Sequence, residues 1–221
     1  KVPASAEIEM PETATKITAI SAITNTDTTI GVMKRSSSRL RSTAAGEEEI
    51  AVASAGGHPV ALSSAELQLG RGETIEDTGR VLSRYVQAIV LRTFEQERLE
   101  VLASAASVPV VNALSDFEHP CQCLADLLTV REVKGELAGR TITYLGDGNN
   151  VTHSLLLGGA KSGMHVRAGT PPGFEPIPQV VQRASDIALE TGGSVTITHD
   201  PIEASRDADV LYTDVWASMG Q

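Results

Sequence analysis

The sequence has few cysteines, few aromatic residues and no long apolar run. Only Cys121 and Cys123 are present among 221 residues, and aromatic residues make up 3%. Two cysteines this close together build no disulfide framework, and a chain of this length can fold without one. They indicate a reducing compartment, and we expect a cytoplasmic protein. The apolar stretches, such as Leu155–Leu157 with its flanks, are far shorter than the ~20 residues of a membrane span, so we expect no membrane partner.

Positive charge is also scarce. The chain has 18 Lys and Arg residues against 28 Asp and Glu residues, which gives a net charge of −10. A general nucleic-acid binder presents a basic face, so this composition argues against nucleic acid as a partner. A local basic pocket for a small anion is compatible with the same charge.

From residue 51 onward, predicted strands and helices alternate along the chain. The predicted strands share short apolar runs: Gln87–Leu91, Val108–Asn112, Thr141–Leu145, Met164–Arg167, Ser194–Thr198 and Val210–Thr213. Such alternation predicts βαβ units and parallel sheets. We therefore expect an α/β chain with two Rossmann-like parallel-sheet domains, residues 1–135 and 136–221, joined by a helix over Pro120–Lys134. The spacing Thr93-x-x-Gln96 predicts a capping box for another helix.

Ligands of open α/β sheets bind at the carboxyl ends of strands. Arg92 directly follows one predicted strand, and His119 precedes Pro120 at the predicted start of a helix. Because helix N-termini favour anions, these two side chains can converge on one oxyanion. The same pattern also fits a capping histidine and a surface arginine.

The segment Ser36–Arg41 combines three hydroxyl groups with two guanidinium groups. Hydroxyls and backbone N–H groups can hold a phosphate, and arginine can bind it in bidentate fashion. A polar loop without a ligand explains the same residues.

A glycine turn, Gly146–Asn150, lies between a predicted strand and a predicted helix. It lacks the third glycine of a dinucleotide fingerprint, and Met164–Arg167 ends without the expected acidic residue, so we do not expect NAD. Asn149 and Asn150 instead offer neutral amides for a zwitterionic amino acid. Asp214, after the last strand, suits a ligand ammonium or caps a following helix.

From about residue 51 to residue 221, the chain resembles the aspartate/ornithine carbamoyltransferase family, and most closely its ornithine branch. The matching stretches are Gln68–Gly70 with Glu73–Leu82, Arg92, Val108–Thr129, Leu145–Leu157 and Thr213–Gly220. The letters HPCQ at 119–122 are specific for the family. The letters GDGNN at 146–150 and the D-x-x-x-SMG pattern at 214–220 are specific for the ornithine branch.

The resemblance implies transfer of a carbamoyl group from carbamoyl phosphate to the δ-amine of L-ornithine, giving citrulline and phosphate for arginine biosynthesis. It implies a first domain for carbamoyl phosphate, a second domain for ornithine, and no metal or organic cofactor. A homotrimer with shared active sites is also implied, because Gln68 matches a phosphate contact that the family supplies from a neighbouring subunit.

The site residues that the resemblance implies fall into two groups. Carbamoyl phosphate is bound by Gln68 together with Ser37, Ser38, Arg39, Arg92, His119 and Gln122, of which Arg39, Arg92 and His119 are catalytic. Ornithine is bound by Asn150, Asp214, Ser218 and Met219.

Three departures from the family pattern keep alternatives open. Leu40 stands where the family has a threonine, residues 1–50 match poorly, and the chain stops at Gln221, before the loop with the family's catalytic cysteine. We therefore expect a truncated second domain. One alternative is a catalytically impaired homologue that binds carbamoyl phosphate or ornithine. Another is a putrescine-type carbamoyltransferase, against which Asp214 and the SMG segment argue, because putrescine has no α-carboxylate or α-ammonium.

Overall fold

The computed structural model describes residues 15–16, 29–35, 47–63 and 67–214. The strands of these residues are β1 (Thr15–Lys16), β2 (Thr29–Arg35), β3 (Gly57–Ser63), β4 (Ala88–Arg92), β5 (Val110–Leu114), β6 (Thr141–Leu145), β7 (His165–Gly169), β8 (Ser194–Thr198) and β9 (Val210–Thr213). The helices are α1 (Glu47–Ser54), α2 (Ile75–Leu82), α3 (Gln96–Ala105), α4 (Pro120–Lys134), α5 (Asn150–Lys161), α6 (Pro178–Thr191) and α7 (Pro201–Ser205). The predicted α/β class is confirmed.

The described chain divides into two compact units. The first unit holds residues 29–35, 47–63, 67–125 and 149–154, and the second holds residues 15–16, 126–148 and 155–214. Helices α4 and α5 each have residues in both units. The domain boundary near residue 136 stays a prediction.

The sheet of the first unit has the order β3-β2-β4-β5. Strand β2 runs antiparallel to both β3 and β4, and only the pair β4 and β5 is parallel. The sheet is therefore mixed, which refines the expectation of a parallel sheet. Alternation along β4 buries Ile89 and Leu91, which form the core with Val86 and Leu102. Burial of these apolar side chains stabilises the strands, and the carboxyl ends of β4 and β5 are therefore fixed in position.

The sheet of the second unit has the order β1-β9-β6-β7-β8 and is parallel throughout. Its central strand β6 has four consecutive buried residues, as expected for a strand covered on both faces. The pairing of β1 with β9 joins Thr15 to Val210, a contact between distant parts of the sequence.

Proline and glycine set several helix boundaries. Helix α4 starts at Pro120, as predicted, and α6 starts at Pro178 and is followed by Gly192 in the left-handed conformation. The predicted capping box of α3 is wrong. Glu95 occupies the N-cap without a side-chain bond, and Thr93 is buried. The carboxylate of Asp116 accepts the N–H of Gln96 instead, at 3.0 Å, so α3 is capped from a distant loop.

Candidate functional site

Strands β4 and β5 bring Arg92 and the loop before α4, which contains His119, to one edge of the first sheet. Arg92 is the last residue of β4, where it is half-buried, and it pairs in register with Leu114 of β5 after an irregularity at Leu91. Because the two strands are parallel, their carboxyl ends lie at the same edge. The loop that contains residues 115–119 leaves this edge and leads to α4.

Ser115 is the centre of that loop. It is fully buried, and its N–H donates to the carbonyl of Glu118 at 2.9 Å. Its hydroxyl donates to the side-chain oxygen of Gln96 at 2.7 Å and accepts the N–H groups of Glu118 at 3.1 Å and Phe117 at 3.3 Å. These bonds close a tight turn, which fixes the backbone immediately before His119.

The first turn of α5 contacts the same loop in the first unit. The amide of Asn150 donates from Nδ2 to the carbonyl of Ser115 at 2.7 Å. The N–H of His119 donates to the hydroxyl of Ser154 at 2.7 Å. The loop that ends at His119 is therefore bonded to Asn150, although the two residues are predicted to bind different substrates.

His153 supplies another contact between α5 and the loop. Its Nδ1 lies 2.8 Å from the carbonyl oxygen of Phe117, and its ring lies 5.4 Å from the Phe117 ring. A carbonyl only accepts, so Nδ1 carries the proton. Burial lowers the pKa of His153, and the Phe117 carbonyl and the charge of Glu118 oppose this in part. The imidazole is therefore neutral near neutral pH.

The two asparagines of the glycine turn both bind the start of α5. Oδ1 of Asn149 accepts the N–H groups of Val151 at 3.0 Å and Thr152 at 3.1 Å, which is a capping arrangement. Oδ1 of Asn150 accepts the Val151 N–H at 3.0 Å. The side-chain amides of Asn149 and Asn150, which are predicted to bind a zwitterionic ligand, therefore also bond to the N-terminus of α5.

Gly148 has a packing role in the second unit. Its N–H donates to the carbonyl of Phe174 at 2.7 Å. A Cβ atom at this position would lie 2.6 Å from Cα of Pro176, and closer still to neighbouring backbone atoms. The glycine is therefore required by a close approach of backbone 174–176, whatever the turn binds.

Asp214 follows β9 in the second unit and is half-buried. On the same strand, Tyr212 is buried, and its ring stacks on that of Tyr144 of β6 with a centroid distance of 5.9 Å. Burial raises the pKa of the Tyr212 phenol, and the carboxylates of Asp126 and Asp214 raise it further. Tyr212 is also hydrogen-bonded to Asp126, so two carboxylates, those of Asp126 and Asp214, act on this phenol.

The remaining predicted site residues are placed as follows. Gln122 is half-buried in the first turn of α4, and the thiol of its neighbour Cys121 donates to the carbonyl of Asn112 at 3.4 Å. Gln68 is exposed at the start of a short 3-10 helix, Gln68–Arg71. Five predicted residues lie outside the described residues: Ser37, Ser38, Arg39, Ser218 and Met219.

Sequence reasoning missed two groups of this site and undervalued a third. Ser115 and Ser154 lie within motif stretches but carry no signal of their own, and His153 was only a minor candidate. The spacing of Asn150, His153 and Ser154, which places them on one helix face, was the available signal. Within the described residues, no three His, Cys, Asp or Glu side chains are grouped as a metal site, and no helix is long and apolar enough to cross a membrane.

Two protein-family models match the chain. The model of the aspartate/ornithine carbamoyltransferase carbamoyl-phosphate-binding domain matches residues 8–132, and that of the Asp/Orn-binding domain matches residues 138–221. Among curated relatives, ornithine carbamoyltransferase of Parafrankia sp. (strain EAN1pec) is 64% identical over 173 residues, which are 78% of this chain and 55% of the relative. The Bacillus subtilis (strain 168) enzyme of that name is 54% identical over 173 residues, covering 78% and 54%.

Solved structures give the same picture. The ornithine carbamoyltransferase from Pyrococcus furiosus is similar with a TM-score of 0.75 at 55% identity, covering 78% of this chain and 55% of that chain. The enzyme of that name from Thermus thermophilus gives a TM-score of 0.68 at 46% identity, covering 77% and 56%. The chain thus spans about half the length of the curated relatives it matches.

Proposed function

Since the chain belongs to the aspartate/ornithine carbamoyltransferase family, we propose that the protein transfers the carbamoyl group of carbamoyl phosphate to the δ-amine of L-ornithine. The products are citrulline and phosphate, and the reaction serves arginine biosynthesis. The observation that carries this proposal is the identity of 54–64% over 173 residues to relatives named ornithine carbamoyltransferase.

The chemistry is an attack of the neutral δ-amine on the carbonyl carbon of carbamoyl phosphate. A C–N bond forms, the C–O bond to phosphate breaks, and the nitrogen loses one proton. Negative charge develops on the carbonyl oxygen before phosphate leaves. Arg39, Arg92 and His119 stabilise that charge, and a donor of this kind typically contributes about 3–4 kcal/mol to the transition state.

Carbamoyl phosphate binds at the first unit in this proposal. His119 lies at the N-terminus of the 15-residue helix α4, where the helix dipole favours an anion. Arg92, at the carboxyl end of β4, adds a fixed positive charge. Gln122 contacts the carbamoyl group, and Ser37, Ser38 and Arg39 bind the phosphate.

Ornithine binds through Asn150, Asp214, Ser218 and Met219. A half-buried aspartate at a strand end suits the α-ammonium, which supports the role of Asp214. The Nδ2 of Asn150 carries a second hydrogen besides the one given to Ser115, and this N–H can donate to the α-carboxylate, which supports the role of Asn150. Fixed placement of the two reactants then accounts for much of the rate without a covalent intermediate.

The assembly we propose is a homotrimer in which Gln68 reaches the phosphate in a neighbouring subunit. Its exposed position on a short helix supports such a role. We place the protein in the cytoplasm, which the low cysteine content, Cys121 and Cys123 in 221 residues, supports.

A comparison of three amines as acceptors of the carbamoyl group tests the proposed function. The full-length protein is supplied with carbamoyl phosphate and, in turn, with ornithine, putrescine or aspartate. We expect kcat/KM for ornithine to exceed the other two by at least about a hundredfold, because a site built for the α-substituents rejects analogues that lack them. Comparable rates with putrescine would reassign the amine. Tight binding of carbamoyl phosphate without any product would identify a binding protein.

A further inference from the structure

Three side chains of α5 hold three alternate residues of the loop before α4. Asn150 binds the carbonyl of Ser115 at 2.7 Å, His153 binds the carbonyl of Phe117 at 2.8 Å, and Ser154 binds the N–H of His119 at 2.7 Å. We propose that these contacts form a latch that positions His119, with His153 as its central positioning residue. The role of His119 in transfer rests on the proposed function, but the latch itself is defined by the contacts.

The geometry of the latch follows from the helix period and from the tight turn of the loop. Positions 150, 153 and 154 share one face of a helix, because neighbours on a helix surface are three and four residues apart. In the loop the contacted positions are 115, 117 and 119, and the bonds of Ser115 to Phe117 and Glu118 fold this segment into a turn. One helix face therefore contacts three backbone groups of the same turn.

The chemistry of the three side chains matches the groups they meet. The loop presents two carbonyl oxygens and then one N–H, so it needs two donors and one acceptor. Asn150 donates from Nδ2, His153 from protonated Nδ1, and Ser154 accepts with Oγ. The Phe117 carbonyl thereby fixes the tautomer of His153.

Burial makes each of these bonds costly to break. His153 is 3% exposed, Ser154 is 6% exposed and Ser115 is fully buried. A buried polar group that loses its hydrogen-bond partner cannot bond to water instead, so the cost of its desolvation is left uncompensated. The thiol of Cys123, in the first turn of α4, donates to the carbonyl of Ser154 at 3.1 Å. Ser154 is therefore bonded both to the backbone of His119 and to the helix that follows His119.

A fixed backbone at His119 matters for transfer because small displacements of a reacting group are expensive. A shift of about 1 Å can lower a rate by about a hundredfold. The latch therefore affects kcat by fixing the position of the His119 imidazole, and His153 itself contacts neither substrate.

Two substitutions of His153 separate its donor from its ring. His153→Asn keeps a donor on the δ position, and His153→Phe keeps an aromatic ring beside Phe117 but has no donor. We expect H153F to lower kcat by at least about tenfold with KM values for both substrates little changed, and H153N to restore most of the loss. Equal kcat values for H153F and the wild type, or equal losses in both variants, would overturn the proposal.

A second pair covers the case in which H153F does not fold. Ser154→Ala removes the acceptor of the His119 N–H with the loss of one atom. Ser162→Ala is its matched control, just beyond the other end of α5, where the hydroxyl donates to the helix carbonyl of Gly158 at 2.9 Å. S154A is expected to reproduce the kcat loss and S162A to leave kcat unchanged. Similar rates for the two would count against the latch.

Imidazole ¹⁵N spectra of the full-length protein test the latch independently of activity. We expect a neutral, Nδ1-protonated ring for His153 in the wild type, and displaced His119 resonances in H153F. His165→Phe, which alters a ring bound to Ser194 in the second unit, should leave the His119 resonances in place. Absence of citrulline with displaced His119 resonances would refute the proposed function and keep the latch. Citrulline formation with unmoved His119 resonances would refute the latch alone.

Discussion

The backbone of Gly148 packs against Pro176 so closely that a Cβ atom at position 148 would lie 2.6 Å from the proline Cα. The obstruction is backbone, which a side-chain rotation cannot relieve. The glycine turn before α5 is therefore shaped by the segment packed against it.

Gly148→Ala should destabilise the fold by about 3 kcal/mol or more, at the upper end of what overpacking costs. Gly192→Ala is the matched control, because Gly192 has φ of 82° but a Cβ added there would have no atom of another described residue within 4 Å, its chain neighbours aside. Its replacement should cost only about 1 kcal/mol, through backbone strain. Urea unfolding of both variants measures the difference, and equal losses would disprove the close approach.

Asn150→Asp tests the amide that binds Ser115. The substitution removes the Nδ2 donor and sets a carboxylate against the Ser115 carbonyl, which now accepts at 2.7 Å. We expect a stability loss of about 1–3 kcal/mol, because a buried acceptor is left unpaired. We also expect the KM for ornithine to rise by more than about tenfold, because the new charge repels the α-carboxylate.

The control for Asn150→Asp is another amide-to-acid change on a helix. Gln182 is exposed on α6 and donates to Asp186 at 2.9 Å. Gln182→Glu creates an exposed like-charge pair, which costs only about 0.5 kcal/mol or less. A loss in N150D no larger than that in Q182E would contradict the role given to the Ser115 contact.

Arg92→Gln tests the positive charge at the end of β4. Loss of a group that stabilises the developing oxyanion should lower kcat/KM for carbamoyl phosphate by a factor of hundreds, or about 3–4 kcal/mol. Arg80→Gln is the control, because Arg80 is 63% exposed and its ion pair is with the exposed Asp77, at 2.8 Å. Initial-rate measurements should find R80Q close to the wild type, and a wild-type rate for R92Q would remove Arg92 from the site.

Much of the α/β pattern was predictable because it depends on local signals. The apolar runs of β6, β8 and β9 and the proline that starts α4 gave bounds that match the structure. For the central strand β6 the signal suffices because a strand buried in a parallel sheet is a short apolar run between turns. The sequence therefore placed Arg92, His119 and Asp214 correctly at element ends.

Contacts between distant segments could not be predicted in the same way. The capping-box spacing pointed to Thr93, but Asp116 caps α3 from 20 residues away. The antiparallel placement of β2 and the pairing of β1 with β9 likewise depend on the assembled sheets. The bond between His153 and Phe117 spans 36 residues, so a lone histidine on a helix gave little sign of its role.

Asp209 predicts a pH dependence of stability in the second unit. Burial alone would raise its pKa, but the N–H of Thr141 and the guanidinium of Arg140 together lower it below the usual 3.8. The folded state thus holds this proton less tightly than the unfolded state. The stabilisation is complete above the unfolded pKa and is lost as the pH falls through the folded pKa.

Asp209→Asn should therefore lower stability at neutral pH, and its effect should shrink as the pH falls below the unfolded pKa and through the folded pKa. Urea unfolding of wild type and variant at several pH values measures the gap. Glu95→Gln, which alters an exposed pair with Arg98 at 3.0 Å, should show a small gap throughout. A gap for D209N that is as large in acid as at neutral pH would show that the carboxylate charge is not responsible.

The most direct test of the central claim follows the transferred carbon. The full-length protein is given ¹³C-carbamoyl phosphate and ornithine labelled with ¹⁵N at the δ position, and the product is observed by NMR. The account predicts citrulline whose carbamoyl carbon is coupled to the δ-nitrogen, with release of one phosphate. Hydrolysis of carbamoyl phosphate without such coupling, or a carbamoyl group on the α-nitrogen, would contradict it.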